Sequence, residues 1–275
     1  MKKTNFTSLI KAIILPLAAT CVLGLSSCTS TTKAGDVDAD RSQLMLISSE
    51  QMEQSSKESY AAVIEEAENA GTLNTDATTT ARVRAIAQRL IEQTGSFRDD
   101  APSWDWQVNV IKDNTVNAWC MPGGRIVVYT GIIETLDLND AQLAAVMGHE
   151  IAHALREHSR EQASQDALRK LGVSTVAEAM GMGDLGINML DVASQYTVSL
   201  PFSRSHETEA DEIGTELMAR AGYDPTEAVN IWKKMASLSS NSIPEIMSTH
   251  PSNESRIKNL QTISEKVYYL YEEAQ

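Results

Sequence analysis

The sequence is poor in cysteine, in aromatic residues and in positive charge. With aromatics at 5% and only three cysteines in 275 residues, neither a disulfide-stapled scaffold nor a cysteine-rich zinc ribbon fits. Any bound metal must therefore be held by histidine and carboxylate. Lys and Arg number 23 against 37 Asp and Glu, a formal charge of -14, and such a field repels phosphate backbones, which excludes nucleic acid as a partner. Beyond the first thirty residues no apolar run approaches the length that spans a bilayer as a helix. What is present, 42% hydrophobic and 22% charged residues, is the balance of a soluble globular protein with a sizeable core.

The N-terminus is the exception. Lys2 and Lys3 precede an apolar stretch from Ala12 to Leu25, interrupted only by Pro16 and Thr20. That is about half of a membrane-spanning helix, so it reads as a secretory signal rather than an anchor. The stretch ends in Leu25-Ser26-Ser27-Cys28, which resembles the bacterial lipobox, where cleavage precedes a cysteine that becomes lipidated. Cys21 fits less well, because Ala18 stands where a large aliphatic residue is wanted. Residues 1–27 are thus expected to be a lipoprotein signal peptide and Cys28 the lipid attachment site. Their removal takes away Lys2, Lys3 and Lys11 and no acid, which carries the charge from -14 to -17. Acyl chains on Cys28 would be the only membrane attachment.

From Thr29 to about Asp40 the chain is small and polar with a lone Val37, so residues 28–44 are expected to be a lipidated, flexible tether. Helical spacing recurs over about 42–70 and 76–93, with stops at Gly71 and Gly95. Trp104 to Ile111 alternates with period two, and strand-like runs at 115–120 and 125–130 flank the turn Met121-Pro122-Gly123-Gly124. A small antiparallel sheet with a hairpin is expected there. Asn139 caps a long helix, with Gln142 placed for a variant capping box, and the periodicity persists to about Leu171. The GMGDLG stretch at 181–186 breaks the pattern, and helices follow at about 188–199, 205–221, 225–238 and 252–273. The fold class is α+β and mostly helical, one domain over 45–275.

Residues 149–153 read His-Glu-Ile-Ala-His. In a chain of this composition, H-E-x-x-H arises by chance roughly 0.007 times, so the motif is specific. Four residues advance about 40° past a full helical turn, so His149 and His153 project side by side and can reach one zinc ion. Glu150, next to that face, can take a proton from a metal-bound water without being a ligand. His158, nine residues after His149, falls about 180° round a continuous helix and is expected at the surface. Arg156 and Ser159 exclude the longer motif that would supply a third histidine in place.

The third ligand must come from another segment, and Ser203 to Gly214 offers His206, Glu207, Glu209, Asp211 and Glu212. Its apolar stripe is Ala210, Ile213, Leu217 and Ala221. Glu207 and Asp211 flank that stripe at i and i+4, whereas Glu209 and Glu212 turn toward solvent. Glu207 is favoured as ligand, with Asp211 accepting an N–H from a ligand histidine, and His206 and Glu209 remain the alternatives.

HEIAH followed by Glu-x-x-x-Asp resembles the zinc metallopeptidase family that includes HtpX, the CAAX prenyl proteases, the mitochondrial Oma proteases and the envelope proteases LoiP and BepA. Asn117-Ala118-Trp119 before the turn, Leu200-Pro201-Phe202-Ser203-Arg204, and Thr249-His250-Pro251 followed by Arg256 resemble further signatures of that family. The resemblance implies a zincin-like (gluzincin) fold with one Zn²⁺ per chain on His149, His153 and Glu207. It also implies Glu150 as general base and Asp211 supporting a ligand. His250 is then an oxyanion stabiliser or a regulatory plug. Substrate would add as a strand near Asn117, Ala118 and Trp119. Lacking the transmembrane helices of HtpX, the chain is similar to the lipid-anchored branch. The function expected is a zinc endopeptidase of the bacterial envelope, anchored at the outer membrane facing the periplasm and clearing unfolded or misassembled envelope proteins. The alternative is an assembly chaperone that cuts little or not at all.

Overall fold

The computed structural model describes residues 28–179, 202–238, 244–250 and 254–275. The expected signal peptide, the 181–186 break, the helix near 188–199 and residues 251–253 lie outside them. In chain order the elements begin with β1 (Cys28–Thr29), β2 (Gln43–Leu44), α1 (Ser49–Asn69) and α2 (Ala77–Ile91), followed by β3 (Gln107–Ile111), β4 (Ala118–Met121) and β5 (Arg125–Tyr129). Then come α3 (Thr130–Thr135), α4 (Asp140–Leu155), α5 (His158–Ala179), α6 (Arg204–Arg220), α7 (Thr226–Leu238), α8 (Glu245–Thr249) and α9 (Glu254–Glu273). None of the described helices is long and apolar enough to cross a membrane.

The hairpin forms as its turn chemistry demands. Gly123 and Gly124 both take positive φ, 83° and 84°, and β4 pairs antiparallel with β5. The sheet, however, is mixed rather than antiparallel, because β3 lies parallel to β5 on its other side, in the order β3-β5-β4. Alternation along 104–111 announces a strand but not its direction.

Helix α4 is the central element, packed against α2, β4, α6 and α7. Its residues from Gln142 to Leu155 are all buried, the polar Gln142, His149, Glu150 and His153 among them. Asn139 caps it by accepting from the Gln142 amide at 2.8 Å. The capping box is one-sided, since the Gln142 side chain donates instead to Glu227 Oε2 at 2.6 Å and accepts from Lys234 Nζ at 2.8 Å. Nor does the helix continue to Leu171. It ends at Leu155, the chain turns through Glu157 at φ 49°, and α5 restarts at His158.

Helices α4 and α6 meet backbone to backbone at Gly148 and Gly214. A Cβ on Gly148 would stand 2.8 Å from Gly214 O, and one on Gly214 would stand 2.7 Å from His149 N. Close approach at this crossing is what brings residues of α6 within reach of 149–153.

The expected tether is instead an arm packed on the body. Val37 and Ala39 are buried in the main core cluster. Lys33 N donates to Phe97 O at 2.7 Å, Asp36 N to Glu216 Oε2 at 2.8 Å, and Ile47 N to Ser164 Oγ at 3.1 Å. Composition alone predicts a loose chain here, but the polar groups of this arm find fixed partners on α5 and α6.

Candidate metal centre

All five histidines of the chain are buried in one region. His149 and His153 leave α4 side by side, with their Nε2 atoms 3.1 Å apart. Ser203 caps α6 by accepting from the His206 amide, and Glu207 in the first turn faces both rings, 3.5 Å from each Nε2. His250, just after α8, closes the group, with Nδ1 at 3.3 Å from His149 Nε2 and 2.9 Å from Glu207 Oε1. These four residues form the one His/Cys/Asp/Glu cluster able to hold a metal ion among the described residues, their ligand atoms lying within 4.8 Å of one another.

The donor set fits zinc. Bonds of about 2.0–2.1 Å place the corners of a tetrahedron about 3.3 Å apart. The separations above run from 2.9 to 3.5 Å, around a shared centre. Oε1 of Glu150 is buried without a hydrogen-bond partner and lies 3.4 Å from His250 Nε2, so a carboxylate beside the cluster is left to act on whatever binds there.

The surroundings orient these groups. Asp211, one turn after Glu207, lies 3.0 Å from His149 Nδ1, as the i, i+4 spacing anticipates. Arg256 holds Asp211 with Nε and Nη2 at 2.6 and 2.7 Å and reaches Glu207 Oε2 with Nη1 at 2.6 Å. Its guanidinium stacks 3.5 Å over Trp232, whose indole also meets the His149 ring edge-on at 5.5 Å. Phe202 stacks on His153 at 4.1 Å. Burial pushes the Glu150 carboxyl up and holds His153 well below the ordinary imidazole range, hence neutral. For Glu207 burial works the other way from its neighbours, and His250, His149 and His153 together keep it well below the usual carboxylate range.

Two expectations are corrected. His158 is not at the surface: the break at Glu157 turns it inward, fully buried, with Nδ1 at 2.9 Å from His153 Nδ1 and Nε2 at 3.0 Å from Glu209 Oε2. Burial holds its pKa at about 3. Glu209 is likewise buried rather than solvated, paired with Arg41 and Arg156, while Glu212 is half-buried. His206, an alternative third ligand, points to Glu161 at 3.2 Å instead. Arg256 was legible only as part of a signature, and its clamp on Asp211 and Glu207 had no signal in the sequence. Of the residues expected at the substrate strand, Asn117 and Ala118 are buried and Trp119 half-buried. Asn117 Nδ2 donates to Glu245 Oε1 at 3.1 Å, and Ile246 N to Val116 O at 3.2 Å, so α8 meets the chain at the start of β4.

A family model described as Peptidase family M48 matches residues 77–264, which holds every residue of this cluster. The chain belongs to this family. Its peptidases are zinc-dependent, in keeping with the donor set. The chain is 37% identical over 172 residues to the mitochondrial metalloendopeptidase OMA1 of Arabidopsis thaliana, covering 62% of this chain and 34% of that protein. It is 34% identical over 185 residues to the OMA1 of Schizosaccharomyces pombe, covering 66% of this chain and 52% of that one. Similarity extends to the beta-barrel assembly-enhancing protease of Escherichia coli, 28% over 185 residues, 64% of this chain and 37% of the relative. The chain thus spans about a third to a half of the length of these relatives.

Proposed function

We propose that this protein is a zinc-dependent endopeptidase of the bacterial cell envelope, with His149, His153 and Glu207 as metal ligands and Glu150 as general base. The observation that carries the reading is the convergence of two imidazoles and a carboxylate from α4 and α6 beside the unpartnered Glu150 Oε1. Zinc held by these residues would supply Lewis acidity toward the scissile carbonyl and the attacking water. Glu150 removes the proton of the attacking water, then passes it to the leaving amine. Asp211 fixes the His149 ring and Arg256 fixes Asp211, so neither ligand nor support needs to reorganise during the reaction.

Substrate adds along the edge of β4 near Asn117 to Trp119, which requires α8 to leave Val116 and Asn117. His250 follows α8 directly, and the place of its Nδ1 in the fourth corner of the cluster favours the plug over the oxyanion role. The lipobox-like Leu25 to Cys28 and the name of the Escherichia coli relative favour an outer-membrane lipoprotein facing the periplasm, acting on unfolded or misassembled envelope proteins. That same name also favours an assembly factor in which cutting is secondary. Complementation of a deletion strain separates the two: Glu150→Gln fails to restore envelope integrity if proteolysis is the function, and full restoration would overturn it. Cys28→Ala is expected to leave the membrane fraction.

A further inference from the structure

The two ligand imidazoles are supported in different ways. His149 Nδ1 faces a carboxylate directly, Asp211, which is held by Arg256. Among the described residues no carboxylate faces the Nδ1 of His153. Its partner there is the ring of His158, at 2.9 Å, and only beyond that ring, at 3.0 Å from Nε2, stands Glu209.

Proton positions along this line are fixed by what each end demands. A metal-ligating Nε2 on His153 must present its lone pair, so the ring proton sits on Nδ1 and is donated. His158 Nδ1 must accept it, which leaves the His158 proton on Nε2, donated to Glu209 Oε2. The line runs donor to acceptor without conflict and ends on a carboxylate.

That carboxylate is held by the arm. Arg41 donates to Glu209 with Nε and Nη2 at 2.6 and 3.2 Å, and to both oxygens of Glu161 at 2.8 Å. Arg156 reaches Glu209 Oε2 at 3.1 Å and returns to the arm through Arg41 O at 2.9 Å and Thr32 Oγ1 at 3.0 Å. Gln43 closes the ring with Arg156 O at 2.6 Å and Glu161 Oε2 at 2.9 Å. Two guanidiniums, Arg41 and Arg156, face two carboxylates, Glu209 and Glu161, so the charges of these four groups balance. The Arg41 side chain is 40% exposed while Glu209 and Glu161 are 8% and 2% exposed, so an arm laid on from outside neutralises charges that lie inside.

We propose that His158 and Glu209 orient the metal-ligating ring of His153, and that the arm of residues 30–47, acting through Arg41, holds this pair in place, so that arm docking and zinc binding strengthen each other. His158 and Glu209 are positioning residues, and the proposal rests on the ligand role of His153 given above. Coupling of this kind is reciprocal: whatever the arm adds to zinc affinity, zinc must return as protection of the arm.

The test measures zinc affinity by chelator competition, and amide hydrogen exchange with and without zinc, on the full chain. Wild type must take up zinc and His153→Ala must lose it; failure of that control overturns the metal reading itself. His158→Phe keeps a ring against His206 and Phe202 but cannot accept, and should weaken zinc by roughly 10- to 100-fold, the usual cost of losing such a partner. His158→Asn, whose amide oxygen can accept from His153 Nδ1, should recover most of that loss, which a packing role alone would not allow. Arg41→Met, at the surface and independent of whether His158→Phe folds, should weaken zinc roughly five- to tenfold. In wild type, zinc should slow exchange at Lys33, Asp36 and Ile47, and in His158→Phe it should not. A zinc affinity within twofold of wild type in Arg41→Met or in folded His158→Phe, or arm exchange indifferent to zinc in wild type, would overturn the proposal.

Discussion

Gly214→Ala probes the crossing that assembles the site. The added Cβ would stand 2.7 Å from His149 N and 2.8 Å from both Gly148 C and His149 Cα. All three are backbone atoms of a buried helix, so no side chain can swing aside. Ordinary contact begins near 3.4 Å, so α6 must retreat by about 0.7 Å. Overpacking of this sort costs about 1–3 kcal/mol, against about 0.5–1 kcal/mol gained by replacing glycine within a helix. The net is a loss of up to about 2.5 kcal/mol, a fall in Tm of up to roughly 5–10 °C for a chain of this size. The larger effect is on the metal. Glu207 lies two turns before Gly214 on the same helix, and the histidines ride on the other helix, so the retreat opens the 3.5 Å separations between them. Zinc affinity should drop at least tenfold, beyond what the loss of stability explains. Differential scanning calorimetry of apo and zinc-loaded protein reads both terms, since zinc should raise Tm less in the variant than in wild type. A variant as stable as wild type with the same zinc-induced rise would refute the reasoning.

Three further outcomes are expected. Glu207→Ala should lose zinc more completely than Glu209→Ala if the one is a ligand and the other acts through His158, as proposed; equal losses by chelator competition would move the ligand assignment. His250→Ala should raise basal and self-cleavage if the histidine is a plug, whereas an oxyanion donor would show instead a roughly 10²- to 10³-fold fall in turnover, so the sign of the change decides. Glu212, pushed up to about 7 by burial and by Glu209 and Asp211, binds its proton more tightly folded than unfolded, so its destabilising effect appears as pH rises from about 4 through 7. Discounted for its partial exposure to about 1 kcal/mol, this means Glu212→Gln should raise Tm by roughly 2–4 °C at pH 8.5 and leave it unchanged at pH 4, and an equal effect at both would contradict it.

The parts of this site that were legible in the sequence are those that depend on one helix at a time. His149, Glu150 and His153 share α4, and Glu207 and Asp211 share the first two turns of α6, so a 3.6-residue period places them. His158 and Glu209 are misplaced by separate steps, Glu209 by the apolar stripe of its own helix and His158 by the helical period carried past Leu155. The period was extended through Arg156 and Glu157, where the chain leaves the helix at φ 49° on a residue that carries no turn signature. With the break in place His158 turns inward, and Glu209, meant for solvent, finds it there. Arg41 and the arm were beyond reach because the partners of Arg41 lie more than a hundred residues away, and only the folded chain shows that a polar segment without a core of its own can still be fixed by ion pairs and backbone contacts.

The central claim, that zinc held by α4 and α6 works with Glu150 to cut peptide bonds, is tested most directly by pairing metal content with cleavage of an unfolded protein. Wild type and Glu150→Gln should both carry zinc in equal stoichiometry and show the same fold by circular dichroism. Cleavage by the variant should fall by several orders of magnitude, since base and metal act as one unit. Cleavage that survives in Glu150→Gln, or zinc lost from it, would contradict the account.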